Sequence, residues 1–456
     1  TRRFDLLLDW ADAMSHIVYE TPEVHFRMHQ LFAIIRKYPL DASLSGRDPE
    51  AAALSSFWKA EHRCKRYNQW FRALRRNPRF AHATLLTRVR DTISYVLGDK
   101  PSLDEIADCC DFTPGASLGV HGNSTHMARK LADPEWTCTP TALPYAIGAL
   151  WRKPLIREYI LTSGEGIYCA SPTLFSERVR ARVRMVCHNK IAFVPKTAKT
   201  HRSIAVEPML NTFLQKGVDV YLRRRLSRIG IDLSDQTLNQ ELARLGSDLT
   251  DPNPYATIDL SSASDTIGYE LVKEVLPPEW FKLLCDIRSP SFVYEGREHR
   301  AQKFMSMGNG FCFPLQTLIF SAIVIATTVM ESEPVDFRVY GDDIIVRRNV
   351  FPSVTRNLRR CGFVLNAKKT FNTGPFRESC GADWHSGVNV RPTFMDAPLN
   401  TVGGVHALHN QFLRTGPLSE AYSVEIRDYL LSLIPGKARS MVPFDPQPRN
   451  ASRDWG

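Results

Sequence analysis

The sequence predicts an α+β fold, with helices and short strands mixed rather than regularly alternating. Three observations carry this. Apolar residues recur at helical spacing in 4–18 and 31–35, short β-rich runs at 255–260 and 337–346 are bounded by Gly, Asp and Pro, and no internal repeat organises the chain. At 456 residues, 43% hydrophobic and 23% charged, the chain can bury a large core, which excludes a coiled coil, a collagen and a disordered tail. At roughly 150 residues per domain, about three lobes are expected.

Residues 1–108 read as mostly helical, with a Ser/Gly/Asp/Pro break at 41–49. Residues 109–175, rich in Pro, Gly and Thr, read as loop-dominated. The stretch 178–194 alternates Arg178, Arg180, Arg182 and Arg184 with apolar residues, the period-two pattern of a strand with one charged face. Phe213, Leu214, Val218, Tyr221, Leu222 and Leu226 mark an amphipathic helix whose wet side carries Arg223, Arg224, Arg225 and Arg228. A short strand over 255–260 follows the turn-rich 251–254. A helix begins near Phe313 and Pro314, since Pro is tolerated in a first turn, and runs apolar to about Met330. Two short strands follow around Gly341-Asp342, and the Pro-rich 435–456 reads as loosely ordered.

The longest apolar run, 318–330, is too short and too interrupted by Ser321, Thr327 and Thr328 to span a bilayer, so no membrane helix is expected. Ten scattered cysteines without a Cys-x-x-Cys pair read as reduced thiols of a cytosolic protein. The opening Thr-Arg-Arg-Phe has neither an initiator Met nor a targeting region, which suggests a trimmed or partial chain.

The net charge of +10 is local. Residues 62–90 hold nine Lys or Arg and no acid, with Tyr67, Trp70, Phe71 and Phe80 interleaved, and 178–202 hold eight more, again without an acid. Outside these stripes 41 basic residues face 48 acids. Cations that neutralise phosphates gain affinity by releasing counterions, and aromatic rings among them offer stacking faces for unpaired bases. Single-stranded nucleic acid is the partner this pattern suits, against the plainer reading of solvated helix faces.

The sharpest feature is Arg338-Val-Tyr340-Gly341-Asp342-Asp343-Ile-Ile-Val346. Gly at the first central position suits a two-residue hairpin turn needing positive φ, with Asp342 and Asp343 at the tip. Two full charges about 4 Å apart at an effective dielectric of about 20 cost on the order of 4 kcal/mol. A divalent cation reverses that penalty, and oxygen-only donors favour Mg²⁺ over zinc. A third carboxylate, Asp259, ends the strand at 255–260. If the two elements are neighbours in one sheet, Asp259 and Asp342 can clamp two metal ions about 3.5 to 4 Å apart, the arrangement that activates a sugar 3′-hydroxyl and stabilises leaving pyrophosphate.

Tyr340-Gly-Asp-Asp343 resembles motif C of RNA-dependent RNA polymerases, and 259–265 resembles their motif A. More narrowly, Asp259-Leu-Ser-Ser-Ala-Ser-Asp-Thr266, Ser306-Met-Gly-Asn-Gly-Phe311, Lys368-Lys-Thr-Phe371 and Gly374-Pro-Phe-Arg-Glu-Ser-Cys-Gly381 are similar to the catalytic (beta) subunit of the replicases of positive-strand RNA bacteriophages, the leviviruses. Upstream, Val194-Pro-Lys-Thr-Ala-Lys-Thr-His-Arg202, Gly230-Ile-Asp-Leu-Ser-Asp-Gln236 and Pro114-Gly-Ala-Ser117 extend the likeness, which covers about residues 109 to 400.

The resemblance implies a right-hand polymerase: an N-terminal helical region 1–108, fingers 109–255, a palm 256–379 with 280–305 returning to the fingers, and a short helical thumb and tail 380–456. It implies that Asp259 and Asp342 bind two Mg²⁺ ions, with Asp343 in support and Mn²⁺ or Ca²⁺ able to substitute. It implies that Lys196, Lys199 and Arg202 hold the nucleoside triphosphate, and that Asp265 lies near the ribose, where RNA precursors are chosen by their 2′-hydroxyl. Ser306 and Asn309 belong to a small-residue loop suited to close approach of template or ribose. Lys369, or Lys368, matches the lysine that protonates departing pyrophosphate, and Arg377 and Glu378 would support an adjoining hairpin. In the family the helix after the loop commonly begins Phe-Glu-Leu-Glu-Ser, whereas this chain has Phe313-Pro-Leu-Gln-Thr317, so Gln316 stands where a polar side chain would join Asp265 in reading the ribose. The implied partners are single-stranded RNA template and nascent RNA, nucleoside triphosphates, host elongation factors Tu and Ts and the largest small-subunit ribosomal protein, in the cytoplasm of the infected bacterium. The rival readings are a reverse transcriptase, which shares the palm but usually has Ala or Met at the position of Gly341, and a non-catalytic viral RNA-binding protein using only the basic stripes.

Overall fold

The computed structural model describes residues 2–37, 46–120, 126–162, 170–395, 400–414 and 417–439. Part of the expected break at 41–49, and the tail beyond 439, lie outside them. Helices and short strands are mixed, as an α+β chain requires.

The N-terminal part is helical: Arg2–Met14, Pro22–Lys37, Pro49–Arg76, Phe80–Leu97 and Leu103–Cys109. The longest, Pro49–Arg76, starts where the Asp48 side chain accepts from the Glu50 and Ala51 amides, with Pro at the first helical position. Its buried stripe, Ala53, Phe57, Ala60, Glu61, Cys64, Asn68, Phe71 and Leu74, keeps the three-to-four spacing of one helix face.

Two expectations need correction. Residues 109–175 are not loop-dominated, because they contain the helices Met127–Ala132, Leu143–Trp151 and Pro154–Leu161 and the start of Pro172–Arg182. Pro144, Pro154 and Pro172 sit in first turns, where no backbone donor is lost; read along the sequence, they pass for breakers. Nor is 178–194 one strand. Arg178 to Arg182 end the helix Pro172–Arg182, and two strands, Val183–Met185 and His188–Thr197, come after it.

Two sheets position the candidate site. In the first, Thr200–Val206, His188–Thr197, Ser291–Tyr294 and Arg297–Arg300 lie in that order. Its leading hairpin pairs Lys190 with Val206 and Val194 with Arg202, with an irregularity at Pro195–Thr197. The second is three-stranded and antiparallel, with Asp343–Arg347 in the centre between Tyr255–Ile258 and Phe337–Tyr340. Across it lies the helix Cys312–Met330, packed also on Phe80–Leu97, Met209–Ser227 and Phe351–Arg360. This helix is long and apolar enough to cross a membrane, beyond what the sequence run suggested, but its flanks are buried in the main core. Its apolar surface is spent on packing.

A third sheet, Phe376–Ser379, Ala382–His385 and Val388–Asn389, begins with a hairpin turning on Cys380 (φ 47°) and Gly381 (φ 72°), the two consecutive positive φ values that a tight twisted hairpin needs. The last helices, Val402–Arg414, Pro417–Ser432 and Gly436–Arg439, share a small apolar cluster of Val405, Leu408, Phe412, Leu430 and Ile434.

Candidate active site

The three-stranded sheet gathers the carboxylates. Ile258 pairs with Ile344, so Asp259, the next residue, lies level with Asp343, while Tyr340 pairs with Asp343 and leaves Gly341-Asp342 as the turn. Gly341 has φ 63°, and a Cβ there would stand 2.5 Å from the Phe313 ring, so the turn admits glycine alone. The Gly341 amide donates to Thr317 Oγ1 at 3.0 Å, which fixes the turn to the helix beneath it.

The carboxylates are half-buried at this end of the sheet and resist ionisation. Burial pushes Asp259 up to about 6, with Asp342 adding to it while Lys369 and the Asn366 bond oppose. Asp343 is pushed up to about 7 by burial and then by the charge of Asp342. Asp342 is also raised, chiefly by burial, against the pull of Lys196, Lys369 and Arg202. Two of the three are held in place: Asn366 Nδ2 donates to Asp259 Oδ2 at 2.6 Å, the Asp259 amide donates to Thr370 Oγ1 at 3.2 Å, and Ser379 Oγ donates to Asp343 Oδ1 at 3.3 Å. An oxygen-only donor set whose charges are costly by themselves fits a hard divalent cation. Among the described residues no three acidic, His or Cys side chains form a ready-made metal cage. Mg²⁺ takes one or two carboxylates, keeps waters and completes its shell with substrate phosphates.

The expected cations divide. Lys196 and Arg202, exposed on the long hairpin, reach the acidic centre electrostatically: Arg202 acts on Asp342, and Lys196 is influenced by Asp259 and Asp342. Lys199 does not join them, because its Nζ pairs with Asp9 at 3.0 Å and Asp12 at 3.4 Å on the first helix. Lys369 acts on Asp259 and Asp342, whereas Lys368 is exposed. Burial works against the Lys369 charge, but Glu378, at 2.9 Å, and Asp259 outweigh it and hold the ammonium above its usual value. Arg377 and Glu378 form no pair: Arg377 is buried and donates to the carbonyls of Tyr255, Thr373, Gly374 and Phe376, whereas Glu378 serves Lys369.

Asp265, in the short turn Ser264–Thr266, accepts from the buried Lys303 at 2.7 Å. The loop 306–310 has a different reason for its small residues than open approach to a ligand. A Cβ on Gly308 would meet Ala205 O at 2.3 Å, one on Gly310 would meet Gln215 Cβ at 2.9 Å, and the Ala205 amide donates to Met307 O at 2.7 Å. The loop is pressed against the hairpin strand that carries Arg202. Ser306 O accepts from the Asn309 amide, and Asn309 Oδ1 accepts from the Phe311 amide, so Asn309 shapes the entry to the long helix. Gln316 lies against the Gly341 turn, with its Oε1 buried and without a hydrogen-bond partner.

Sequence reasoning missed Asn366, Thr370, Ser379, Thr317 and Lys303. Asn366 and Thr370 flank the lysine pair and Ser379 lies in the 374–381 motif, so those segments carried the signal; nothing local marks Lys303.

These elements define a class: an α+β protein with an acidic, oxygen-donor centre at the end of a sheet, faced by lysine and arginine. The chain belongs to the RNA replicase beta-chain family, whose model matches residues 20–419. It is 36% identical over 82% of its length to the RNA-directed RNA polymerase subunit beta of Escherichia virus Qbeta, of which that match covers 60%. It is 34% identical over 92% of its length to the same subunit of Enterobacteria phage SP, covering 70% of it, and 37% identical over 72% to the beta chain of Escherichia phage MS2, covering 56%. The chain thus spans 56 to 70% of the length of these relatives. Among solved structures it is similar to the RNA-dependent RNA polymerase of a human picorbirnavirus, at 13% identity and TM-score 0.39 over 55% of this chain and 58% of that one, and to an insertion-loop deletion mutant of it, at 11% and 0.42 over 83% and 85%. Likenesses that loose add nothing to the geometry.

Proposed function

We propose that this chain is the catalytic part of a levivirus replicase, an RNA-directed RNA polymerase that copies a single-stranded RNA genome by two-metal nucleotidyl transfer. The observation that carries this reading is the meeting of Asp259 with Asp342 and Asp343 at one end of one sheet, with Lys369 beside them. Asp259 and Asp342 would hold two Mg²⁺ ions, with Mn²⁺ or Ca²⁺ as substitutes. When bound, such ions lower the charge cost of the attacking hydroxyl and of the departing pyrophosphate. Asp343 backs the pair from inside the sheet. Lys196 and Arg202 hold the triphosphate, and Lys369, kept protonated by Glu378, gives a proton to the leaving pyrophosphate. Asp265 accepts from the ribose hydroxyls.

In this reading 109–255 and the returning 280–305 form fingers, 256–379 the palm and 380–456 a thumb and tail, with 1–108 as a helical brace. The sheet that joins Ser291–Tyr294 in parallel to His188–Thr197 supports the return. RNA template, nascent RNA and nucleoside triphosphates are the ligands. Host elongation factors Tu and Ts and the largest small-subunit ribosomal protein are the proposed partners, in the cytoplasm of the infected bacterium.

The test is Asp342→Asn. RNA binding survives and templated incorporation of ribonucleotides falls to background; a variant with normal incorporation overturns the assignment.

A further inference from the structure

Asp265 is held by a residue far from it in sequence. Lys303 is 2% exposed, and its Nζ donates to Asp265 Oδ1 at 2.7 Å, lies 3.7 Å from the centre of the Phe57 ring and stands 4.0 Å from Glu61 Oε1. Glu61 and Phe57 belong to the long helix Pro49–Arg76. Glu61 Oε2 accepts from the Gln302 amide at 2.7 Å, and its Oε1 is buried without a hydrogen-bond partner. The lysine is therefore shared unequally, bonded to Asp265 and only near Glu61.

Its backbone is equally fixed. Lys303 bridges Gly268, the Phe304 amide donates to Ile267 O at 2.8 Å, and the buried Arg288 donates to the carbonyls of Lys303 and Phe304. Three residues on, the chain enters the loop at Ser306. A buried ammonium in a fixed frame holds a carboxylate better than a solvated one, because little side-chain entropy remains to be lost and the low dielectric strengthens the bond.

We propose that Lys303 is a positioning residue for sugar selection. By occupying Oδ1 of Asp265 it holds the carboxylate in one orientation and leaves Oδ2 as the acceptor for a ribose hydroxyl. A site built to hydrogen-bond a hydroxyl rejects the analogue lacking it, and does so only while its acceptor is held in place. This inference rests on the proposed role of Asp265 in reading the ribose. It adds that selection depends on a lysine outside the acidic centre and on the N-terminal helix that encloses that lysine.

The test compares kcat/KM for ATP and 2′-deoxy-ATP on a poly(U) template, using the replicase with whatever subunits it requires. In Lys303→Met the preference for ATP falls by roughly tenfold, the size of effect expected for one charged hydrogen bond. The fall lies in a raised KM for ATP, with kcat for 2′-deoxy-ATP unchanged. Lys303→Arg, which keeps the charge, retains the preference within about threefold. Asp265→Asn lowers the preference at least as far as Lys303→Met, and the double variant is no worse than Asp265→Asn alone, since both changes remove one unit. A normal preference in Lys303→Met beside a lowered one in Asp265→Asn overturns the inference, as does additivity in the double variant. A normal preference in Asp265→Asn overturns the reading of Asp265 itself. Should Lys303→Met fail to fold, Lys303→Gln, which keeps a donor without the charge, is read on the same ratio.

Discussion

In the proposed reaction Lys369 acts only if it stays protonated until pyrophosphate departs, and Glu378 favours that state. With burial opposing it, the ammonium is held above its ordinary value by Glu378 at 2.9 Å and then by Asp259. Glu378 is correspondingly held below the usual carboxylate range, burial notwithstanding, by Lys369 and Arg391. Replacing Glu378 with Gln removes the charge that raises Lys369, so the lysine gives up its proton at a lower pH. The expected result is a pH–rate profile whose alkaline limb moves to lower pH with the plateau little changed. Lys369→Met instead lowers the plateau by about 10²-fold or more, because a positioned general acid contributes on that scale. Single-turnover rates between neutral and alkaline pH check both, and an unmoved limb in Glu378→Gln counts against the role of Lys369.

At the scale of elements, the first basic stripe is two things at once. Arg72 and Arg75 pair with the buried Glu270, Arg75 and Arg90 pair with Glu274, and Arg63 donates to Gly362 O, so these four residues bind the N-terminal helices to the rest of the molecule. Lys65, Arg66, Arg76, Arg79 and Arg88 lie exposed. Replacing Arg76, Arg79 and Arg88 with Gln is expected to reduce the salt dependence of single-stranded RNA binding by up to about 0.7 per charge in log–log slope, with the melting temperature unchanged. Replacing Arg72 and Arg75 should lower the melting temperature instead. Salt titrations and thermal melts separate the two sets, and equal effects from both sets would show the division to be wrong. The sequence could not make that division, because the acids that claim Arg72 and Arg75 lie some 200 positions away. Asp259, Asp342 and Lys369 were legible for the opposite reason: each sits in a short segment whose turn or strand pattern is written locally. Lys199 was grouped with Lys196 and Arg202 by the family resemblance, whereas the structure pairs it with Asp9 and Asp12, on a helix that no local motif connects to it. The prolines of 109–175 were misjudged in a related way, since a proline starts a helix only where the residues C-terminal to it can bury an apolar face.

For the whole molecule, the N-terminal helices matter because they are stitched into the part that carries the acidic centre. Gln30 exchanges two hydrogen bonds of 2.8 Å with the backbone of Thr393, and His385 bonds the Tyr19 carbonyl at 2.8 Å. His25, 1% exposed, stacks on His29 with ring centres 3.9 Å apart and lies 4.7 Å from Phe376 and 5.5 Å from His385. Burial, and then the neighbouring His29 and His385, push His25 down to about 3, and burial lowers His29 as well. Between about pH 6.5 and 3 the unfolded chain binds a proton at residue 25 that the folded chain refuses, so stability is full above that window and falls as pH drops through it. Asp259 and Asp343, raised in the folded state, act in the other direction, which is why the absolute melting temperature is a poor test. The difference between the parent and His25→Phe isolates the histidine. The aromatic substitution keeps the packing against Phe376 and cannot titrate, so the variant should lose several degrees less between pH 7.5 and 5 than the parent does. Equal losses would mean that the junction between the N-terminal helices and the hairpin Phe376–His385 does not open with acid, and that His25 is protonated without cost.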